Sequence, residues 1–350
     1  MKLKLNQLSW ALGLSLLLFS CDESGSERPL GEYETGILIM NEGAFGSNDG
    51  EVYHLDPVSG TLKPDIFEAA NTRPFAGLLE DMVLEEDRLF LVANTGKVEI
   101  VNAGDFKSLG AVSNDLDQPR SLAVVGSKLF ISDYGPYDAN YNTPDSYIAV
   151  VDGLNGGPIK KKIEVSNQPE DLFVFGKYVF VAGSEEGKVE IIDAENETIF
   201  KTLEVLGSPK QFFLEAGVLW LYSTGDEAVY FQSFRLDNLT KTNLITLPLA
   251  DATGRITFDK EGIIYILTSS GWPDYKDAVA KISIVNSTFE PDWITGSGFY
   301  GIGFDTKQDL LYVSNAKGFQ GNGTVTVYRK NGQVDSEITV GRGPSGFLVY

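Results

Sequence analysis

Leu89-Phe90-Leu91-Val92-Ala93-Asn94-Thr95-Gly96-Lys97-Val98-Glu99-Ile100-Val101 reads as an apolar strand, a tight polar turn and a second strand. Consecutive large apolar residues in the first run suit a strand covered on both faces. Asn94-Thr95-Gly96 supplies the turn. The first run recurs as Ile37-Leu38-Ile39-Met40, Leu129-Phe130-Ile131-Ser132 and Val179-Phe180-Val181-Ala182. It recurs again as Leu219-Trp220-Leu221-Tyr222, Ile264-Tyr265-Ile266-Leu267 and Leu311-Tyr312-Val313-Ser314. Turns at Pro74, Pro119, Pro169, Pro209, Gly254, Tyr300 and Pro344 precede the remaining apolar runs. A period of roughly 45 residues with four strands per unit predicts an all-β fold, a seven-bladed β-propeller of four-stranded blades.

The two ends of the repeat complete one another. Phe347 to Tyr350 begins a new unit where the chain stops, and Gly36 to Met40 begins a unit that lacks its inner strand. The C-terminal run is therefore expected to join the first blade and close the ring, which removes exposed sheet edges. The other inner strands are expected to follow the turns directly, at Phe75 to Leu79, Leu122 to Val125, Leu172 to Phe175, Phe212 to Leu214, Ile256 to Phe258 and Ile302 to Phe304.

Composition narrows the function. The 350 residues carry 49 acidic and 28 basic side chains, a formal charge of −21. Phosphate contacts need clustered Lys and Arg, so no nucleic-acid partner is expected. One cysteine, Cys21, and one histidine, His54, exclude a disulfide within the chain and a Cys/His zinc site. His54 lies in the strand-like Glu51-Val52-Tyr53-His54-Leu55, where a strand position is expected rather than a catalytic one.

The N-terminus reads as an export signal over residues 1–20. Lys2 and Lys4 precede an apolar stretch from Leu8 to Phe19, too short to span a bilayer. Leu18-Phe19-Ser20-Cys21 resembles a bacterial lipobox, which implies lipidation of Cys21 and a membrane attachment through that anchor. Residues 21–35 are polar and read as a flexible tether, leaving 36–350 for the propeller.

In a four-stranded antiparallel blade, the turn between the second and third strands shares a face with the crossover to the next blade. Three of those turns are long and aromatic: Tyr134, Tyr137 and Tyr141 in one, Trp272 and Tyr275 in another, Phe319 in a third. Phe45 and Tyr300 add to the same rim. The crossovers carry Arg73, Arg120, Lys210, Arg255 and Arg342. Flat apolar rings with hydrogen-bond donors between them suit a small-molecule ligand bearing amides or carboxylates. The alternative is that the rings pack loops together and the arginines cap turns.

Asn41, Asn94, Asp133 and Asn315 occupy matching positions at the ends of second strands. A ring of oxygen ligands could hold Ca²⁺. The turn-forming use of Asn and Asp is the better reading, and no cofactor is expected.

The opening Gly36-Ile37-Leu38-Ile39-Met40-Asn41-Glu42-Gly43-Ala44-Phe45-Gly46-Ser47-Asn48 resembles a family of Bacteroidetes surface lipoproteins with YncE-like propellers. The Val189-Glu190-Ile191-Ile192-Asp193 ending is similar to YncE-like repeats. One branch, the BtuG group, captures corrinoids and hands them to a TonB-dependent outer-membrane transporter. The resemblance implies a non-enzymatic nutrient-capturing lipoprotein, lipid-anchored at the outer membrane and exposed at the cell surface, with a corrinoid such as vitamin B12 as the ligand to consider. Two other classes stay open: an envelope scaffold that binds only protein, and a metal-dependent lactonase-type hydrolase using Glu42 and Asp133.

Overall fold

The computed structural model describes residues 28–271, 275–284 and 288–350. Seven four-stranded antiparallel sheets follow one another around a ring. Blade 1 takes its inner strand, Pro344–Val349, from the C-terminus, and its other strands are Ile37–Asn41, Glu51–Asp56 and Thr61–Lys63. The closing register pairs Ile39 with Phe347 and Ile37 with Val349. The ring closure expected from the two chain ends is present.

Blades 2 to 7 have their inner strands at Leu79–Glu85, Pro119–Val125, Pro169–Phe175, Ser208–Glu215, Ala252–Phe258 and Phe299–Asp305. In five of these six blades the expected apolar run lies inside the strand. Blade 2 is the exception. Phe75 was expected on its inner strand, but that strand begins at Leu79, and Pro74 and Phe75 belong to the crossover. The cause is a helix at Ile66–Asn71 that the repeat does not announce. Asp65 caps it by accepting from the Glu68 amide at 3.2 Å. Its Phe67 is buried and meets Phe75 edge-on at 5.7 Å, so Phe75 fills the gap beside the helix.

The second strands explain the repeat physically. Each one alternates between two blade interfaces. Leu89 and Leu91 pack toward blade 1, whereas Phe90 and Val92 pack toward blade 3. Ile37 and Ile39 face blade 7, and Leu38 and Met40 face blade 2. Such strands have no solvent face and must be apolar throughout. At Phe90, Phe130, Phe180, Trp220, Tyr265 and Tyr312 the same position carries an aromatic ring that wedges into the next interface. Burying one such ring contributes on the order of 2–3 kcal/mol, which makes the repeated aromatic a main source of cohesion between blades.

Residues 28–35, expected within the tether, make defined contacts with the ring. Arg28 pairs with Glu34. Tyr33 is buried against His54 and Phe106, at ring distances of 5.4 and 5.5 Å. His54 itself is buried, with Nε2 at 2.6 Å from the Thr35 carbonyl oxygen, so it fastens this segment. The strand position read from sequence is the one it occupies. The stretch 1–27, with Cys21 and the export signal, lies outside the described residues. Among the described residues no helix is long and apolar enough to cross a membrane.

Candidate functional site

Every inner strand carries a β-bulge at the same place, just after it enters the ring. Register shifts fall after Leu79, Pro119, Pro169, Pro209, Ala252, Phe299 and Pro344. A bulge bends its strand and re-aims the extra side chain. Glu80, Arg120, Glu170 and Lys210 hold successive bulge positions and meet at the channel mouth, above a cavity of about 400 Å³. One layer deeper lie Asp81, Ser121, Asp171, Gln211 and Arg255.

The channel-mouth charges are largely paired. Arg120 reaches Glu80 at 2.9 Å and Glu170 at 3.8 Å, and lies over the Tyr134 ring at 4.9 Å. Burial opposes the Arg120 charge, but Glu80, Tyr134 and Glu170 outweigh it and hold the guanidinium firmly protonated. Lys210 contacts Glu170 at 3.0 Å and donates to Ser184 Oγ at 2.6 Å. Burial also opposes ionisation of Glu170, yet Arg120 and then Lys210 hold its carboxyl below the usual range. Below them, Asp171 accepts from the Phe212 amide at 2.7 Å, and burial pushes its carboxyl up to about 7. Asp81 accepts from Ser121 Oγ at 2.7 Å and is likewise raised by burial.

A second, more apolar cavity of about 690 Å³ opens on the loop face between blades 6 and 7. Tyr275, Phe299, Tyr300 and Phe319 line it, with Arg255 and Gly254 at its inner end. Tyr300 and Phe319 meet edge-on at 5.1 Å. Gly343 makes that placement possible, because a Cβ there would sit 2.8 Å from the Phe319 ring. Tyr300 also donates a hydrogen bond to Glu42. Four residues expected in a ligand site from loop placement thus converge: Tyr275, Tyr300, Phe319 and Arg255. Trp272 lies outside the described residues, beside Tyr275 in sequence.

The remaining expected residues are distributed elsewhere. Tyr134 stacks under Arg120 at the channel mouth. Tyr137 and Tyr141 pair at 6.2 Å on the projecting loop of blade 3, 58% and 83% exposed. Phe45 stands 96% exposed on blade 1. Arg73 turns outward to Glu99 at 2.5 Å and lies over Phe67 at 4.9 Å. Arg342 pairs with Asp49 at 2.9 Å. Glu80, Glu170 and Lys210 were not singled out from sequence as one cluster. Glu170 and Lys210 directly follow Pro169 and Pro209, as Arg120 follows Pro119, and that shared position is the signal that would have found them; Glu80 follows Leu79, six positions past Pro74, and carries no such mark.

Of the four residues of the Ca²⁺ alternative, Asp133 and Asn315 are engaged in turns, whereas the Asn41 Oδ1 is buried without a hydrogen-bond partner. Asp133 accepts the amides of Asp117, Gln118 and Gly135 at 2.9, 2.8 and 2.7 Å. Asn315 accepts from the Lys317 amide at 2.9 Å and donates to the Ser297 carbonyl at 2.7 Å. Asn94 donates to Glu80. Among the described residues no three His, Cys, Asp or Glu side chains cluster as a metal site. Asp133 and Asn315 fit turn chemistry better than metal binding.

A closed seven-bladed propeller with a charged channel mouth and an aromatic groove on its loop face is the class these features define. The chain belongs to the family described as a domain of unknown function, DUF5074, whose model matches residues 35–342. No curated protein matches it. Among solved structures it is similar to a quinonprotein alcohol dehydrogenase-like protein from Bacteroides thetaiotaomicron, at 16% identity and a TM-score of 0.67, covering 91% of this chain and 78% of the other. It is also similar to a putative 6-phosphogluconolactonase from Bacteroides fragilis, at 13% identity and a TM-score of 0.62, covering 89% and 97%. BamB from Moraxella catarrhalis follows at 13% identity and a TM-score of 0.55, covering 92% and 88%. Identities this low establish the fold alone, and neighbours of such different kinds assign no activity.

Proposed function

We propose that this chain is a non-enzymatic cell-envelope lipoprotein, tethered through Cys21, that captures a small nutrient on the loop face of its propeller. The nutrient is passed to a TonB-dependent outer-membrane transporter, and a corrinoid such as vitamin B12 is the ligand the sequence resemblance favours. The observation that carries the reading is the convergence of Tyr275, Tyr300, Phe319 and Arg255 on one groove. A concave, aromatic-lined cavity with few polar groups is the usual form of a small-molecule site. The hydrolase alternative is less well supported, because Asp133 is engaged by three backbone amides and Glu42 by Tyr300.

Calorimetry of the mature domain with cyanocobalamin tests the ligand. Saturable heat with a raised melting temperature supports it, and neither signal at saturating ligand removes the corrinoid. Radioactive palmitate tests the anchor: the wild type labels, and labelling of Cys21→Ser would remove it. A second reading, a scaffold that binds only protein, draws on the exposed rings of Phe45, Tyr137 and Tyr141. Exposed aromatics on loops suit partner contact. Under the first reading these rings face the transporter.

A further inference from the structure

Three cations line the channel cavity, and they differ in one respect. Arg120 and Lys210 each have a carboxylate within ion-pair distance. Arg255 has none within 4.0 Å among the described residues; its Nη1 donates to the Ser345 carbonyl at 2.9 Å, and its guanidinium lies over the Tyr300 ring at 5.4 Å. Glu42 and Asp81 both feel its charge, but their side-chain hydrogen bonds come from Tyr300 and Ser121 instead. A half-buried guanidinium in a cleft, with donors turned to solvent, is available to an incoming anion. Arg is also the side chain best suited to a planar, two-point grip on carboxylate or phosphate.

The backbone explains why Arg255 stands apart. The other inner strands insert one extra residue at the bulge, whereas blade 6 inserts two between Ala252 and Ile256. The mouth position that holds Glu80, Arg120, Glu170 or Lys210 elsewhere is taken here by Gly254. A Cβ at Gly254 would already come within 3.3 Å of the Lys210 side chain. Gly254 therefore lets the Lys210 side chain lie close against the backbone that borders both channel and groove. Gly254 and Arg255 line both cavities.

We infer that Arg255 is the anion anchor of the loop-face groove, and that the molecule captured there carries a carboxylate or phosphate beside a flat apolar body. The apolar body lies against Tyr300 and Phe319, and the anionic group meets Arg255 at the inner end of the groove. The inference rests on the proposed ligand-binding role of the groove.

A matched pair of fluorescent probes tests it on the full mature chain. Anilinonaphthalene sulfonate and N-phenylnaphthylamine share an aromatic body, and only the first bears an anionic group. The wild type should bind the sulfonate more tightly. Arg255→Gln should lower sulfonate affinity about tenfold or more while leaving N-phenylnaphthylamine within about twofold, which also shows that the variant is folded. Arg255→Lys should restore part of the loss. Phe319→Ala should weaken both probes. If Arg255→Gln leaves the sulfonate unchanged while Phe319→Ala weakens both, the groove stands and the anchor is wrong. If Phe319→Ala changes neither, the groove itself is not the site.

Discussion

Tyr300, on the inner strand of blade 7, donates its phenolic proton to Glu42, in the first loop of blade 1, across 258 positions of sequence. The bond crosses from the last blade to the blade that closes the ring. Burial, and then Glu80, push the Glu42 carboxyl up; Tyr300, Arg255 and Arg120 restrain it. Because the folded carboxyl binds its proton more readily than the unfolded one, stability falls as pH rises from the ordinary carboxylate range toward the folded value.

Tyr300→Phe removes the restraint and raises Glu42 further. The loss of stability, roughly 1–2 kcal/mol, should be larger at pH 8 than at pH 4. Denaturant titrations at the two pH values check this, and an equal loss at both would disconnect the hydroxyl from the Glu42 charge.

Asp171 gives a steeper test of the same sign. Its carboxyl is raised to about 7, so the wild type loses stability between about pH 4 and pH 7 as this group must ionise in the channel. A shift of that size is worth on the order of a few kcal/mol. Asp171→Asn keeps one acceptor and carries no charge, so its stability curve should be flatter over the same interval. Parallel curves for wild type and variant would show that Asp171 is solvated as an ordinary carboxylate.

The Arg120 cluster makes the opposite prediction for a neutral side chain. Arg120→Met leaves Glu80 and Glu170 facing one another without the cation between them. Breaking a buried ion pair from one side costs about 3–5 kcal/mol. Thermal melts at neutral pH measure it, and a loss below about 1 kcal/mol would place the cluster energetically at the surface.

Ring closure predicts a cooperative failure. Truncation before Pro344 removes the partner of Ile37–Asn41 and the Phe347 ring that packs on Tyr312 at 5.9 Å. An unpaired strand edge and an opened apolar interface should follow, with a melting temperature lower by more than about 10 °C and self-association on size exclusion. A monomer melting as the full chain does would contradict closure by the C-terminus.

The blade count and the closing strand were legible because their causes are local and repeated. A second strand with interfaces on both faces must be apolar at every position, and Leu89-Phe90-Leu91-Val92 states that directly. Blade 2 misleads because the helix at Ile66–Asn71 lengthens the crossover, so Pro74 marks a turn that no inner strand follows. The bulges leave no mark in composition, since one extra residue looks like any other until strands are paired. For that reason Arg120 read as a free donor at a crossover, although Glu80 and Glu170 enclose it. The aromatic groove was legible in part: Tyr275, Tyr300 and Phe319 follow from loop register, while the place of Arg255 at its inner end depends on a double insertion visible only in the pairing.

Loop-face capture of a ligand is tested most directly by titrating cyanocobalamin into three proteins. These are the wild type, the groove variant Tyr275→Ala/Phe319→Ala, and the rim variant Tyr137→Ala/Tyr141→Ala. Capture in the groove predicts saturable binding to the wild type, a loss of about tenfold or more in the groove variant, and little change in the rim variant. Binding that survives the groove substitutions but fails in the rim variant would contradict it.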